Sequence, residues 1–266
     1  MANVATPSSA PAAGTRPEGV TTEADASRKV REMFSKIAPS YDVLNHVLSC
    51  EFDRLWRKRA ALQLRPILLR PEALVLDLCC GTGDLALTFR KFGKARIVGV
   101  DFARTMLTRA FFKSILGSSH SGMPGPPPLP LFEADALRLP FADASFDLVA
   151  TAFGFRNLAN YEAGLREIHR VLKPGGIIAI LEFTEPADNV LGHLYRWYFR
   201  RVLPRIGALI SGDSAAYSYL PNSVSRFFRP RELAALLSNV GYDSVAFRRW
   251  TFGAVAFHTA QRPANP

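Results

Sequence analysis

The sequence predicts a doubly wound, Rossmann-like α/β fold with a mostly parallel sheet. Three observations predict it: short apolar runs without polar alternation, helical stretches between successive runs, and a glycine-rich turn joining the first run to the first of those helices. A strand that is apolar at consecutive positions must be covered on both faces, which requires helices on each side of the sheet.

Taken in order, ALVLDLC (73–79) reads as a buried strand, GDLALTFRKF (83–92) as a helix, ARIVGVD (95–101) as a strand and ARTMLTRAFFKSIL (103–116) as a helix. LPLFEAD, FDLVATAF and GIIAILEF supply three more strands, with a helix at about 160–172 between the last two. Pro230 opens a helix carrying Leu233, Leu236 and Leu237, and Gly241 stops it. SVAFRRW and GAVAFHTA then form an antiparallel pair at one sheet edge, bringing the strands to seven. Ahead of the sheet, Val30, Met33, Phe34 and Ile37 recur at helical spacing, and Leu44, Val47 and Leu48 repeat the pattern, so residues 28–70 form a helical lid. Residues 1–27, rich in Ala, Pro, Ser and Thr, read as a solvated tail. Residues 117–130, dense in Gly and Pro, read as a surface loop. The division is therefore tail 1–27 and one domain 28–266.

With 266 residues at 48% hydrophobic content, fibrous and wholly disordered classes are excluded. A net charge of +10 favours anionic neighbours: nucleic acid, an anionic membrane face or an acidic ligand. Three cysteines make no disulfide framework, and a reducing, cytoplasmic setting is expected. The tail lacks the apolar core of a secretory signal and holds too few arginines and too many acids for a mitochondrial presequence. No apolar stretch reaches the roughly 18 residues of a spanning helix, so membrane association would be peripheral.

The strongest local feature is the turn from Asp77 to Ala86, in which Gly81, Gly83 and Ala86 satisfy G-x-G-x-x-G/A. Such a turn brings backbone close to a ligand at a helix N-terminus, although many glycine turns only connect a strand to a helix. Asp101 ends the next strand, where a carboxylate accepts two hydrogen bonds from a ribose diol or caps the following helix. Asp77, just before the loop, would meet an amine rather than a pyrophosphate, which disfavours a dinucleotide. Asp135-Ala136 follows the third strand, placed for the exocyclic amine and ring of adenine. Together these describe a site for S-adenosylmethionine.

The chain from about Val30 to Ala260 resembles the ubiquinone/menaquinone biosynthesis C-methyltransferases, class I enzymes that use S-adenosylmethionine. FSKIAPSYDVLNHVLS, VLDLCCGTGDLA, VGVDFARTML, EADALRLPFADASFDLVATAFGFRNLAN, EIHRVLKPGGIIAILEF and LPRIGALISGDSAAYSYLPNSV carry the likeness. SYDVLNHVLS, FGFRN and LPRIGALISGDSAAYSYL are its narrow signatures. The resemblance implies methyl transfer to a ring carbon of a prenylated quinol, either demethylmenaquinol or a 2-methoxy-6-polyprenyl-1,4-benzoquinol, without a metal. Demethylmenaquinol is the expected substrate, because the CCGTGD loop and VGVDF strand end look more like menaquinone-pathway members. Thr82, Asp101 and Asp135-Ala136 match the family's cofactor contacts. Cys79-Cys80 stand where small residues are common, and Ala152 where some relatives carry a serine.

For chemistry, Arg156 and Asn157 of FGFRN lie at the carboxyl end of the fourth strand. Arg156 stays protonated, so it would partner a phenolate or an ordered water rather than act as a base; a plain strand-end salt bridge is the competing role. Tyr41 and Asp42 would close over the quinol from the lid. Between Leu191 and Arg231 seven arginines face one acid, Asp213, so +6 of the +10 sits in one aromatic-rich stretch. That stretch suits anionic headgroups and a polyprenyl tail, or an ordinary core-facing helix with a solvated side. A homodimer is the assembly common in the family, and no nucleic-acid partner is expected. An NAD oxidoreductase is disfavoured by Asp77 and LKPGG, and an exocyclic-amine methyltransferase by FGFRN standing where an NPPY-type tetrad would. A cofactor-retaining interaction protein without activity is the rival from another class.

Overall fold

The computed structural model describes residues 14–17, 19–39, 41–42, 49, 51–116, 127–184, 201 and 223–264. The helical repeat at Leu44, Val47 and Leu48, residues 117–126 of the expected loop at 117–130, and residues 191–200 and 202–222 of the basic aromatic stretch from Leu191 to Arg231 lie outside the described residues.

Seven strands form one sheet: β1 (Leu74–Leu78), β2 (Arg96–Asp101), β3 (Leu131–Glu133), β4 (Phe146–Ala152), β5 (Leu172–Phe183), β6 (Asp243–Trp250) and β7 (Val255–Gln261). Their order is β3-β2-β1-β4-β5-β7-β6, parallel from β3 through β5, with β7 antiparallel to both β5 and β6. Strand order reverses between β1 and β4, which opens a crevice at the carboxyl ends of the parallel strands.

The longer helices among the described residues are α1 (Glu23–Ile37), α2 (Phe52–Gln63), α3 (Asp84–Phe92), α4 (Arg104–Leu116), α5 (Tyr161–Val171) and α6 (Pro230–Val240). Alternate residues of each central strand feed two cores. Leu76, Val149, Ile178 and Ile180 pack on one face with Leu165 and Ile168 of α5 and Leu233 and Leu237 of α6. Val75, Leu148, Ala179 and Leu181 pack on the other with Trp56 and Ala60 of α2 and Leu85 and Phe89 of α3. Both faces being dry explains why the strands read as unbroken apolar runs.

Two boundaries differ from the sequence expectation. α1 begins at Glu23, five residues before Arg28, because the Thr22 hydroxyl accepts the Asp25 N–H at 3.1 Å and two acids occupy the positive first turn. The described end of the expected tail is also tied to the domain: Thr15 N–H donates to Leu158 O at 2.8 Å and Arg16 to Ala159 O at 2.6 Å. Composition averages over side chains and registers neither a cap nor a backbone contact. β5 starts at Leu172 rather than Gly176, since Gly175 takes φ +77° and lets the pairing shift register between Phe146 and Leu148. Pro230 and Gly241 bound α6 as their chemistry requires, Gly241 with φ +105°.

Candidate functional site

β1 delivers the chain into a loop where Cys79, Gly81 and Gly83 take φ of +56°, +54° and +83°. Gly83 caps α3, and a Cβ there would stand 3.2 Å from Ala110 Cβ, so the loop lies close on α4. Cys80 N–H donates to Val100 O at 2.9 Å, tying the loop to β2. Asp101, at the end of β2, takes the Gly81 N–H on Oδ2 and the Ala103 N–H on Oδ1, each at 2.9 Å. Each oxygen keeps a lone pair for a ligand. Burial raises its carboxyl to about 6, against the pull of those N–H donors.

An open cleft lies over these strand ends. Its floor includes Gly81, Asp101, Asp135 and Ala136; Phe34 and Tyr41 come from the lid, and Phe153 and Asn157 from the end of β4. Asp135 Oδ1 accepts the Leu137 N–H at 2.9 Å, which orients its carboxylate. This arrangement fits S-adenosylmethionine: a carboxylate for a ribose diol, a second for an adenine amine, and glycine backbone open to the amino-acid end. At the far side, aromatic rings and the Asn157 amide could accept a flat apolar acceptor.

Six of the ten residues expected from sequence therefore share one cavity: Tyr41, Gly81, Asp101, Asp135, Ala136 and Asn157. Asp77, Thr82, Gly83 and Arg156 are not on its wall. Asp77 is buried beneath the loop, where Oδ2 accepts the Ala86 N–H at 2.9 Å and Oδ1 has no partner; burial pushes its carboxyl up to about 8. Thr82 is buried, with its hydroxyl donating to Asp42 and accepting from Lys113 at 2.9 Å. Arg156 is buried in an ion pair with Glu182 at 2.7 Å; its guanidinium also donates to Phe153 O and to Ser223 Oγ and lies over the Phe183 ring.

Sequence reasoning missed the strained partner walls. Phe153 carries φ +62°, and the next residue, Gly154, packs so tightly on the loop that a Cβ would fall 2.4 Å from Cys79 Cβ. Two non-glycine residues in the left-handed region, Cys79 and Phe153, thus stand at the ends of neighbouring strands and line the cleft. The signal was Gly154 itself, between two aromatic residues at a strand end. Lys113 and Glu182 were also missed. Burial pushes the Cys79 and Cys80 thiols well above their ordinary range, so neither is a nucleophile near neutral pH. Among the described residues no group of His, Cys, Asp and Glu has a metal-binding arrangement, and no helix is long and apolar enough to cross a membrane.

Solved structures with this fold include a possible histamine N-methyltransferase from Thermotoga maritima (TM-score 0.56, 17% identity, covering 88% of this chain and 99% of that one). The [4+2]-cyclase SpnF is also similar (TM-score 0.62, 18% identity, 90% and 97% covered). The fold is thus shared by different chemistries. In sequence, a demethylmenaquinone methyltransferase of Thermus thermophilus is 46% identical over 87% of this chain and 100% of its own length. One from Deinococcus radiodurans is 46% identical over 86% and 90%. A ubiquinone/menaquinone biosynthesis C-methyltransferase UbiE of Geobacter sulfurreducens is 40% identical over 90% of each chain. The profile of the ubiE/COQ5 methyltransferase family matches residues 21–262, and the chain belongs to that family.

Proposed function

We propose that the protein transfers a methyl group from S-adenosylmethionine to a ring carbon of a prenylated quinol, demethylmenaquinol being its substrate. One observation carries the reading: Asp101, Asp135 and Ala136 share a cleft with Tyr41, Phe153 and Asn157, so a nucleoside site and an aromatic-walled acceptor site adjoin. The names and identities of the Thermus and Deinococcus relatives support the choice of quinol.

S-adenosylmethionine supplies an electrophilic methyl group on a sulfonium. The chain has to align a ring carbon with that methyl and keep water out, which is where most of the barrier reduction in such a bimolecular step arises. Asp101 fixes the ribose, Asp135 and Ala136 the adenine, and Phe34, Tyr41 and Phe153 exclude water. Loss of the quinol hydroxyl proton to solvent would raise electron density on the ring, so that the ring carbon could take the methyl group as the C–S bond breaks and a neutral thioether leaves. The ring hydrogen would then leave as a proton while the oxygen regains one, which restores the aromatic quinol with one proton released overall. Asn157 and the Tyr41 hydroxyl hold the quinol oxygen. Arg156 acts from behind the wall: paired with Glu182, it holds Phe153 O and thereby the turn that presents Asn157. Asp77 serves the same end by anchoring Ala86 at the start of α3.

The Geobacter relative's name covers ubiquinone as well as menaquinone biosynthesis, which supports weighing a second acceptor, the methoxy-polyprenyl-benzoquinol. Comparing kcat/KM for the two quinols with one enzyme preparation tests the choice; a preference for the benzoquinol overturns it. The arginine excess near Leu191–Arg231 supports peripheral contact with an anionic lipid face, and equal, negligible binding to anionic and neutral liposomes would overturn that contact. The family resemblance supports a homodimer, which light scattering tests.

A further inference from the structure

Lys113, in the last turn of α4, brings its ammonium group against three other parts of the protein. Nζ lies 2.7 Å from Asp42 Oδ2, in the lid, and 2.8 Å from Asp84 Oδ1, the first residue of α3. It donates to Thr82 Oγ1, in the glycine loop, at 2.9 Å. The Thr82 hydroxyl in turn donates to Asp42 Oδ1. Beyond Asp84 the chain of charges continues through Arg57, 3.2 Å away, to Asp53, both on α2 and both buried. Alternating signs run Asp42, Lys113, Asp84, Arg57, Asp53, so each inner member has opposite charges on both sides.

The lid end of this chain is the functional one. Asp42 is joined to Tyr41, whose ring lies over the glycine loop: a Cβ on Gly81 would meet Tyr41 Cε1 at 3.8 Å. Tyr41 also packs edge-on against Phe34, and both line the cleft. A cofactor held by Asp101 and Gly81 would lie in the cleft that these two rings line. Side chains of Asp42 and Lys113 are only 21% and 29% exposed, where a charge pair is screened less than on an open surface.

We propose that Lys113 is a positioning residue that latches the lid over the cofactor: by gripping Asp42 and the glycine loop at once, it holds Tyr41 above Gly81. Cofactor retention and placement of the acceptor-facing Tyr41 are thereby coupled. The proposal rests on S-adenosylmethionine being the ligand of the cleft. Coupling of this kind is worth roughly 5- to 150-fold in affinity.

The test uses the full-length protein and S-adenosylmethionine, with Kd by calorimetry, dissociation rate by stopped-flow and melting temperature for wild type, Lys113→Met, Lys113→Arg, Asp42→Asn and the Lys113→Met/Asp42→Asn pair. Expected are a Kd raised about tenfold or more in Lys113→Met, mostly through faster dissociation, and recovery to within about threefold in Lys113→Arg. Asp42→Asn should lose a similar factor, and the pair should lose no more than the worse single variant, since both break one interaction. A Lys113→Met Kd within about twofold of wild type, whatever its melting temperature, overturns the latch; so does Lys113→Arg failing as badly as Lys113→Met, or losses that multiply in the pair. Asp42→Asn gives an independent reading should Lys113→Met not fold. A wild type that binds normally beside unaffected variants defeats the latch alone, whereas a wild type that binds no S-adenosylmethionine defeats the cofactor reading as well.

Discussion

The Gly81 N–H donates to Asp101 Oδ2 at 2.9 Å, and through this bond a single carboxylate joins the glycine loop to the strand beside it. The bond fixes the loop's backbone relative to the group expected to grip the ribose, so loop and carboxylate act as one unit in binding.

That carboxylate gives binding a pH dependence. Burial raises the Asp101 carboxyl to about 6, and only its ionised form accepts from both ribose hydroxyls. Affinity for S-adenosylmethionine should be flat from pH 7 to 8 and fall by up to about tenfold per unit below 6, as one proton competes with the ligand. Asp101→Asn should bind weakly at every pH and lose the slope. Calorimetric titrations between pH 5 and 8 check this; a wild-type Kd unchanged from 7 to 5 contradicts it.

Asp77 makes a prediction about stability. Its carboxyl, ordinarily near 3.8, sits at about 8 because it is buried with Oδ1 unpartnered. The folded protein therefore holds a proton that the unfolded chain releases, and stability should decline as pH rises from about 4 to about 8. Asp77→Asn carries no such proton and should shallow the decline. Melting curves at intervals from pH 5 to 9 decide it; parallel wild-type and variant profiles would show that Asp77 does not titrate as described.

Gly154 is required by contact rather than by backbone angle. Its φ of −110° suits any residue, but a Cβ would stand 2.4 Å from Cys79 Cβ. Gly154→Ala should cost about 1–3 kcal/mol in urea unfolding and misplace Phe153 and Asn157, lowering kcat. Cys79→Gly removes the opposing Cβ and relaxes the φ of +56°, so it should recover most of the stability of Gly154→Ala. Additive losses in the double variant would contradict the proposed contact.

The Arg156–Glu182 pair is buried on both sides, with side chains 7% and 1% exposed. Removing one partner leaves an uncompensated charge, so Arg156→Met should cost about 3–5 kcal/mol, and Arg156→Met/Glu182→Gln less than Arg156→Met alone. Denaturant titration measures both. A stable Arg156→Met enzyme that lost only kcat would instead place the guanidinium in direct contact with the acceptor.

Much of the fold was legible because two-sided burial writes itself into sequence: Leu76 and Val75 face opposite cores, and both are apolar. Glycines did the same for the turns, at Gly81, Gly83 and Gly241, where only small or left-handed backbone serves. The grouping of the expected cofactor residues Asp101 and Asp135 was legible for a related reason, since both sit at strand ends that topology alone brings together, and both line one cleft. Residues acting through long-range pairs were not. Arg156 reads as a group for substrate, yet its partner Glu182 is 26 positions away on β5 and claims the guanidinium. Lys113 belongs to no motif, and only the packing of α4 against the lid reveals Asp42 as its partner. The start of α1 was hidden because Thr22 acts through one hydroxyl bond, which no periodicity registers.

The most direct test of the account is a single-turnover reaction of the purified protein with methyl-labelled S-adenosylmethionine and a short-chain demethylmenaquinol, with the product analysed by mass spectrometry and NMR. The account predicts one labelled methyl on a ring carbon and one thioether formed for each. Label on a quinol oxygen, or binding of S-adenosylmethionine with no transfer to the quinol, would contradict it.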